Sequence, residues 1–337
     1  MSQPAPGRVL FLLTLAGLAL PACERASETS ARPSAALPTP SDTVAPAAPS
    51  GAAAAPVELW FGGDVHWGKG RDVAARLALL GERLRSATGF VNLEGPLSAG
   101  AGPGASIDAN NKVMLSNEAA FLPALVGAGA RFIGIANNHA DDLGARSVET
   151  TRQLLREGGL EAVGLSAGTS SLEHDGQALH FAAYDLLTSA PAERSRELTA
   201  LGRKPGLMIV AFHDTGPPSY LPSARLRTAV DEAIELGADV VVSHGTHALA
   251  PVERRGPAVI AWGLGNLLFD CSCTRERDGL ILSVRSSSAG LEATVLPIDA
   301  GLGDAPVQLS HDPALIFDLL EAIGSSPLVR KGERAGF

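Results

Sequence analysis

Five times along this chain an apolar run of strand length stops on a residue type that binds metals. The run 57–63 leads into Asp64 and His66, and 89–91 leads into Asn92 and Glu94. The run 131–136 leads into Asn137, Asn138 and His139, and 206–212 into His213. The last, 238–243, leads into His244, with His247 three residues on. Helical periodicity appears at 72–86, 117–126, 145–157, 223–236 and 313–323, the last with Asp312 as N-cap and Pro313 at the first helical position. Further strands are expected at 178–185, 257–263, 279–285 and 291–298, the final two as a hairpin. Strands and helices in alternation specify an α/β fold. In an open α/β sheet, ligands gather beyond the carboxyl ends of the strands, so these five endings are expected to converge.

The 337 residues are 45% hydrophobic and include 37 glycines, which suits one large α/β domain with a turn-rich core. A net charge of −9, with no Lys/Arg block, argues against a nucleic-acid or anionic-membrane surface. Three cysteines are too few for a disulfide framework. Near the N-terminus, Arg8 precedes an apolar stretch at 9–20. That stretch is shorter than the ~20 residues a membrane span needs, and it suits a signal-peptide core. It ends Leu20-Pro21-Ala22-Cys23, which resembles the lipobox of bacterial lipoproteins. The resemblance implies a signal peptide over 1–22, lipid on Cys23, and an exported protein anchored to the bacterial cell envelope on its periplasmic or outer face. The plainer alternative is a secretory signal with an incidental cysteine. Residues 24–56, almost wholly Ala, Pro, Ser, Thr and Gly, read as a disordered tether behind Cys23. The folded domain is expected over 57–325, with 326–337 as a tail.

Each motif has a bland reading beside its functional one. In Gly62-Gly63-Asp64-Val65-His66 the glycines at the strand end let the backbone turn sharply without a Cβ clash. They leave a carboxylate and an imidazole two residues apart, a spacing that suits a divalent cation or a mere turn. In Asn92-Leu93-Glu94-Gly95-Pro96, Glu94 is placed to bridge two cations or to cap a helix. The segment 137–144 is denser in polar groups than an ordinary strand-to-helix turn. There an asparagine either caps a helix or ligates a hard cation, His139 is a candidate acid, and Asp142 is placed to orient an imidazole. His213, His244 and His247 supply imidazoles, and a mixed Asp, Glu, Asn and His set suits Mn, Zn, Fe or Mg. Gly164-Leu165-Ser166-Ala167-Gly168 matches a nucleophile elbow, but 169–176 lacks the helical periodicity that motif needs. Asn266 adds one more polar residue at a strand end. Cys271 and Cys273 are open to being free thiols or a labile disulfide.

Taken in order, these motifs resemble the capsule synthesis family of CapA type, associated with poly-gamma-glutamate, over about residues 57–298. The family's Gly-Asp strand end stands here as Gly63-Asp64, and its Asn-Leu-Glu-x-Pro as residues 92–96. Its Asn-Asn-His-x-x-Asp-x-Gly stands at 137–144, its mid-chain histidine as His213, and its strand leading to paired histidines at 237–247. Its Leu-Gly-Asn-Phe stands as Leu264-Gly265-Asn266-Leu267. The chain departs from the pattern after His213, where Asp214-Thr215-Gly216 replaces Trp-Gly. It departs again inside the histidine pair, which encloses Gly245-Thr246 rather than His-Pro.

The family is similar to the calcineurin-type metallophosphoesterases. That likeness implies a metallophosphatase-like, four-layer α-β-β-α sandwich around two divalent metal ions. By this resemblance Asp64, His66, Glu94 and His247 hold one ion, and Glu94, Asn138, His213 and His244 the other. His139 with Asp142 is the catalytic pair, and Asn92, Asn137 and Asn266 support the ligands or face substrate. The implied activity is a dinuclear-metal hydrolase acting on a phosphoester or amide of an anionic polymer, in capsule or exopolymer biosynthesis or release. Capsule-assembly membrane proteins are the implied partners. A non-catalytic, metal-dependent binder of the same polymer is an alternative, and a serine hydrolase using Ser166 a third.

Overall fold

Alternation within β1 (Val57–His66) divides the core in two. Val57, Leu59 and Phe61 enter one apolar cluster and Trp60 the other, as the two-residue period of a strand requires, and Val65 joins the side of Trp60 after a register shift near Asp64. The computed structural model describes residues 56–337 apart from 68–71, 85, 101, 103, 166–168, 175, 272–275 and 304. The expected signal peptide, the lipidated Cys23, most of the tether, Ser166 and Cys273 lie outside the described residues. Among the described residues no helix is long and apolar enough to cross a membrane.

After β1 come β2 (Thr88–Leu93), β3 (Ala130–Gly134) and β4 (Glu161–Val163), each parallel to its neighbour in the order β1-β2-β3-β4. The chain then builds a second, six-stranded sheet. Its strands are β5 (Thr169–His174), β6 (Gln177–Asp185), β7 (Leu207–His213), β8 (Val240–His244), β9 (Val252–Arg255) and β10 (Ala258–Ala261). The order is β9-β10-β8-β7-β6-β5, parallel at the centre and antiparallel at both edges. The chain returns to the first sheet with β11 (Asn266–Phe269), parallel to β1, and with the hairpin β12 (Asp278–Ser287) and β13 (Gly290–Asp299). Three short strands, β14 (Gln308–Leu309), β15 (Val329–Lys331) and β16 (Arg334–Gly336), complete ten strands there.

The protein is therefore a mixed α/β chain with two large sheets, and its side chains show how they pack. One cluster joins Phe61, Phe90 and Phe132 of the first sheet to Phe181, Ile209 and Val242 of the second. Within it the Phe132 and Phe181 rings stack with centroids 3.8 Å apart. The other face of the first sheet packs against α1 (Val73–Arg76), α2 (Ala78–Leu84), α3 (Leu122–Gly127) and α4 (Ser147–Glu157). The other face of the second sheet packs against α5 (Pro191–Leu201) and α6 (Ala224–Glu235).

Besides the added strands β5, β9 and β11, four elements differ from the sequence-based expectation. The helix at 72–86 breaks into two short ones, α1 and α2. Asn117 and Glu118 do not start a helix but pair as a short strand with Leu97 and Ser98. Helix α5 carries no helical expectation at all. Residues 326–337 are not a loose tail, because β15 and β16 pair together and β16 adds to β13. The helix α7 (Pro313–Ala322) starts as expected, with the Asp312 side chain accepting from Leu315 N.

Candidate metal centre

The site is assembled by close backbone approach. Gly63 lies so near β11 that a Cβ there would sit 2.1 Å from Gly265 O. Register shifts around Asp64 kink β1 as it passes between β2 and β11. On the second sheet, His213 and His244 are register partners at the ends of β7 and β8. Beyond β8 the chain turns through Gly245 at φ 99° and His247 at φ 56°, which swings the His247 ring back toward β1.

Asp64, Glu94 and His247 each offer a ligand atom within 4.8 Å of the others, a group that could hold a metal ion. Asp64 is fully buried, accepting from Asn92 Nδ2 at 2.8 Å and Gly245 N at 3.2 Å. His247 Nδ1 lies 3.2 Å from Asp64 Oδ2 and 2.9 Å from Asn266 Oδ1, and its Nε2 is 3.9 Å from Glu94 Oε1. His213 Nε2 meets the same Glu94 oxygen at 3.0 Å.

Charge balances within this group. Burial opposes ionisation of Asp64 and Glu94, yet the histidines around them hold both carboxyls below their usual range. Burial likewise opposes a charge on His247, but Glu94 and Asp64 push it up to about 10. His213 is raised in the same way by Glu94, against its burial. His244 goes the other way, lowered by burial, with Nε2 3.1 Å from Gly62 O.

His66 lies outside the three-residue group, and its chemistry is set by Asn117. The Asn117 amide donates to Glu94 O at 2.8 Å and Gly95 O at 3.1 Å. Its oxygen must therefore accept from Trp67 N and from His66 Nδ1, both at 3.0 Å. The proton is thereby fixed on Nδ1, and Nε2 is left buried without a partner among the described residues. Burial lowers the His66 pKa to about 4, so the ring is neutral. A buried, bare imidazole nitrogen that feels the charge of Glu94 fits a divalent cation, as does the carboxylate and imidazole donor set.

The third expected motif lies alongside. Asn137 donates to Asn92 Oδ1 at 3.2 Å and Leu93 O at 2.8 Å, so it supports the residue that holds Asp64. His139 Nδ1 is 2.6 Å from Asp142 Oδ2. Burial works against the Asp142 charge, but His139, Lys112 and Leu115 N hold its carboxyl below the usual range. Asn138, an expected ligand, is half-buried and makes no side-chain hydrogen bond among the described residues. Cys271 is buried and disulfide-bonded, packed in a cluster with Leu115 and Phe269. Sequence reasoning missed Asn117 and Lys112, whose partners lie 51 and 30 residues away, beyond any local spacing signal.

Comparison with known proteins bears on this geometry. Residues 58–179 and 177–271 match the family described as "Bacterial capsule synthesis protein PGA_cap". The chain is 21% identical over 221 residues to "Capsule biosynthesis protein CapA" of Bacillus anthracis, covering 57% of this chain and 54% of that protein. It is 35% identical over 79 residues to "PGA biosynthesis protein CapA" of Bacillus subtilis (strain 168), covering 23% of this chain and 21% of that protein. The chain thus spans about half the length of the first relative and a fifth of the second. A crystal structure of a hypothetical protein from Thermus thermophilus aligns with TM-score 0.44 and 15% identity, over 75% of this chain and 98% of that one. The family match takes in more than half of the chain, and all the expected ligands fall inside it. The chain belongs to the bacterial capsule synthesis protein family, PGA_cap.

Proposed function

We propose that this chain is an envelope-anchored, metal-dependent hydrolase of capsule or exopolymer biosynthesis or release, built as a four-layer α-β-β-α sandwich. One observation carries the reading. Asp64, Glu94 and His247 converge from both sheets, with His213 on Glu94 and the bare Nε2 of His66 beside them. The names of the two Bacillus relatives support the setting. Helices on the outer faces of two facing sheets support the layering, and Leu20-Pro21-Ala22-Cys23 supports the anchor.

Asp64, His66, Glu94 and His247 would hold one divalent ion, and Glu94, Asn138, His213 and His244 a second. Such ions, when bound, neutralise developing charge and make water acidic enough to deprotonate near neutral pH. The chain's own residues do the remaining work. Glu94 faces both His213 and His247, so it is the group placed to be shared. Asn92, itself held by Asn137, fixes the Asp64 carboxylate. His139 is held through Nδ1 by Asp142, which leaves Nε2 to pass a proton to the leaving oxygen or nitrogen.

The test combines elemental analysis of the purified chain with assays on a phosphomonoester, a phosphodiester and a gamma-glutamyl anilide. Two Mn, Zn, Fe or Mg ions per chain are expected, with turnover of one substrate that Glu94→Gln abolishes. Bound metal without turnover of any of the three would leave a polymer binder in place of a hydrolase. Absence of metal would end both readings.

A further inference from the structure

Beside the centre, between the end of the second sheet and the start of α6, lies an open cleft of about 320 Å³. It begins where the proposed ligands end. Asp214 follows His213, and its N–H donates to His244 O at 2.9 Å. Thr246 stands between His247 and Gly245, whose N–H donates to Asp64. Both residues line the cleft, together with Pro217, Leu221, Ala250 and Trp262. Residues 214–216 and Thr246 are also positions where the chain departs from the family pattern, so the cleft is built from this chain's own departures.

The charges in the cleft are spent on each other. Arg225 Nε donates to Asp214 Oδ1 at 2.8 Å, and Ser223 Oγ donates to Asp214 Oδ2 at 2.6 Å. Among the described residues no other charged side chain lines it. One donor is left over. Trp262 is 3% exposed, with the Arg255 guanidinium 5.1 Å from its ring centroid, and its indole N–H is buried without an acceptor. The cover over this ring is held only by itself. Among the described residues, the hydrogen bonds of 216–221 run solely between Ser219 and Leu221. Nothing of that kind ties the loop to the sheet or to α6, so it is free to lift and bring the indole N–H into the cleft.

The lining narrows the occupant. Mostly apolar pockets with a few polar groups bind small molecules from about 300 Å³ upward. A cavity of about 150 Å³ takes the six heavy atoms of benzene, so this one takes about 13, the scale of one sugar residue. A charged sugar would find no free counter-charge. A plain hexose would bring hydroxyls to a wall with few partners for them, and an alkyl chain would leave the indole N–H unpaired. An acetamido group meets both demands, with a carbonyl that accepts and a methyl that is apolar. We propose that this cleft is a subsite for an N-acetylhexosamine residue of the exopolymer, its acetamido carbonyl accepting from Trp262 and its methyl on the apolar wall, with the loop 216–221 closing over it. Its place in turnover rests on the proposed hydrolase, but the binding does not.

The experiment titrates the full chain with N-acetylglucosamine, glucose and glucosamine by saturation-transfer NMR, before and after dialysis against EDTA. N-Acetylglucosamine is expected to bind in both states, at least tenfold more tightly than the other two. The chain has three tryptophans, so its indole N–H signals are few, and one of them is expected to shift on binding. Trp262→Phe keeps a ring and deletes the donor. It is expected to remove that signal and weaken N-acetylglucosamine at least fivefold. Its Tm should be unchanged or higher, because the deleted donor has no acceptor in the free chain. Equal binding of the three sugars, binding of none, binding without an indole shift, or binding lost with EDTA overturns the subsite. So does a Trp262→Phe chain that binds as tightly as its parent, which would make the indole purely structural. Metal content of the same samples reports separately on the centre. A chain without metal that still prefers N-acetylglucosamine would sink the hydrolase and keep the subsite.

Discussion

At His66 the position of a proton is dictated by an amide 51 residues away. Because Asn117 spends both N–H groups on Glu94 O and Gly95 O, it can only accept from His66, and Nε2 stays bare. Supporting partners of this kind typically contribute 10–100-fold to metal affinity. Asn117→Ala is therefore expected to weaken metal binding by about 10–100-fold, read by competition with a chromophoric chelator, with the far-UV circular dichroism unchanged. His247 makes a second prediction. Its pKa is raised to about 10, so the stability it contributes is full below its ordinary 6.5 and is lost as pH climbs toward 10. His66 is lowered to about 4, so the folded state resists protonation that the unfolded state accepts, and stability falls as pH drops from 6.5 to 4. Asp64 and Glu94, both lowered, add to the loss at acid pH. The Tm of the EDTA-treated chain should peak near pH 6.5, set by those two histidines. Metal uptake at pH 8 should release the proton of His247, visible as a calorimetric heat that varies with the buffer's ionisation enthalpy.

Elements that begin or end in long apolar runs were legible, because an apolar run of strand length has few other places to go. The runs ending at Asp64, Glu94, His213 and His244 became β1, β2, β7 and β8, and their ends meet. Helix α5 was not legible for a physical reason. Its buried face is Arg194, Leu198 and Leu201, so the first position reads as polar, and Ala190 gives no capping signal. Only Pro191 and Glu193 in the first turn mark its start. The contact between β1 and β11 was not legible. Gly62-Gly63 signalled only a sharp turn, and nothing local named Gly265 as a partner. Gly63→Ala tests that contact, since its Cβ would lie 2.1 Å from a backbone oxygen and no side-chain rotation relieves it. Overpacking of this kind costs about 1–3 kcal/mol, measurable by urea unfolding. The shift of β11 should also move Asn266 off His247 and lower metal content. A variant with wild-type midpoint and full metal would show that β11 does not position the site.

Across the whole molecule, the two sheets are joined by more than their shared core. The C-terminal segment leaves α7 along the second sheet's edge. There Val252 N donates to Ser325 Oγ at 3.0 Å, Ser326 N to Val252 O at 2.8 Å, and Arg254 N to Ser326 Oγ at 3.0 Å. It then forms β15 and β16, and Ala335 and Gly336 of β16 pair with Val295 and Thr294 of the first sheet. Arg254 closes the loop by donating to Phe337 O at 3.1 Å. Residues 326–337 thus strap β9 of one sheet to β13 of the other. Nothing in their composition foretold this, because strands of three residues carry no period of their own and order only against an existing edge. Deleting 326–337 would remove all of these bonds except the one to Ser325, together with the buried Ala335, and would leave β9 and β13 as more open edges. Ordering of the lost residues opposes part of that gain, so a net loss of about 2 kcal/mol is expected, or roughly 4–8 °C in Tm. The open edges should also make the truncated chain self-associate with rising concentration, seen by light scattering. The ligand cluster draws on neither β9 nor β13, so metal binding below the lowered Tm should persist. A truncated chain that keeps its Tm and stays monomeric would mean that the interleaved phenylalanines alone hold the sheets together.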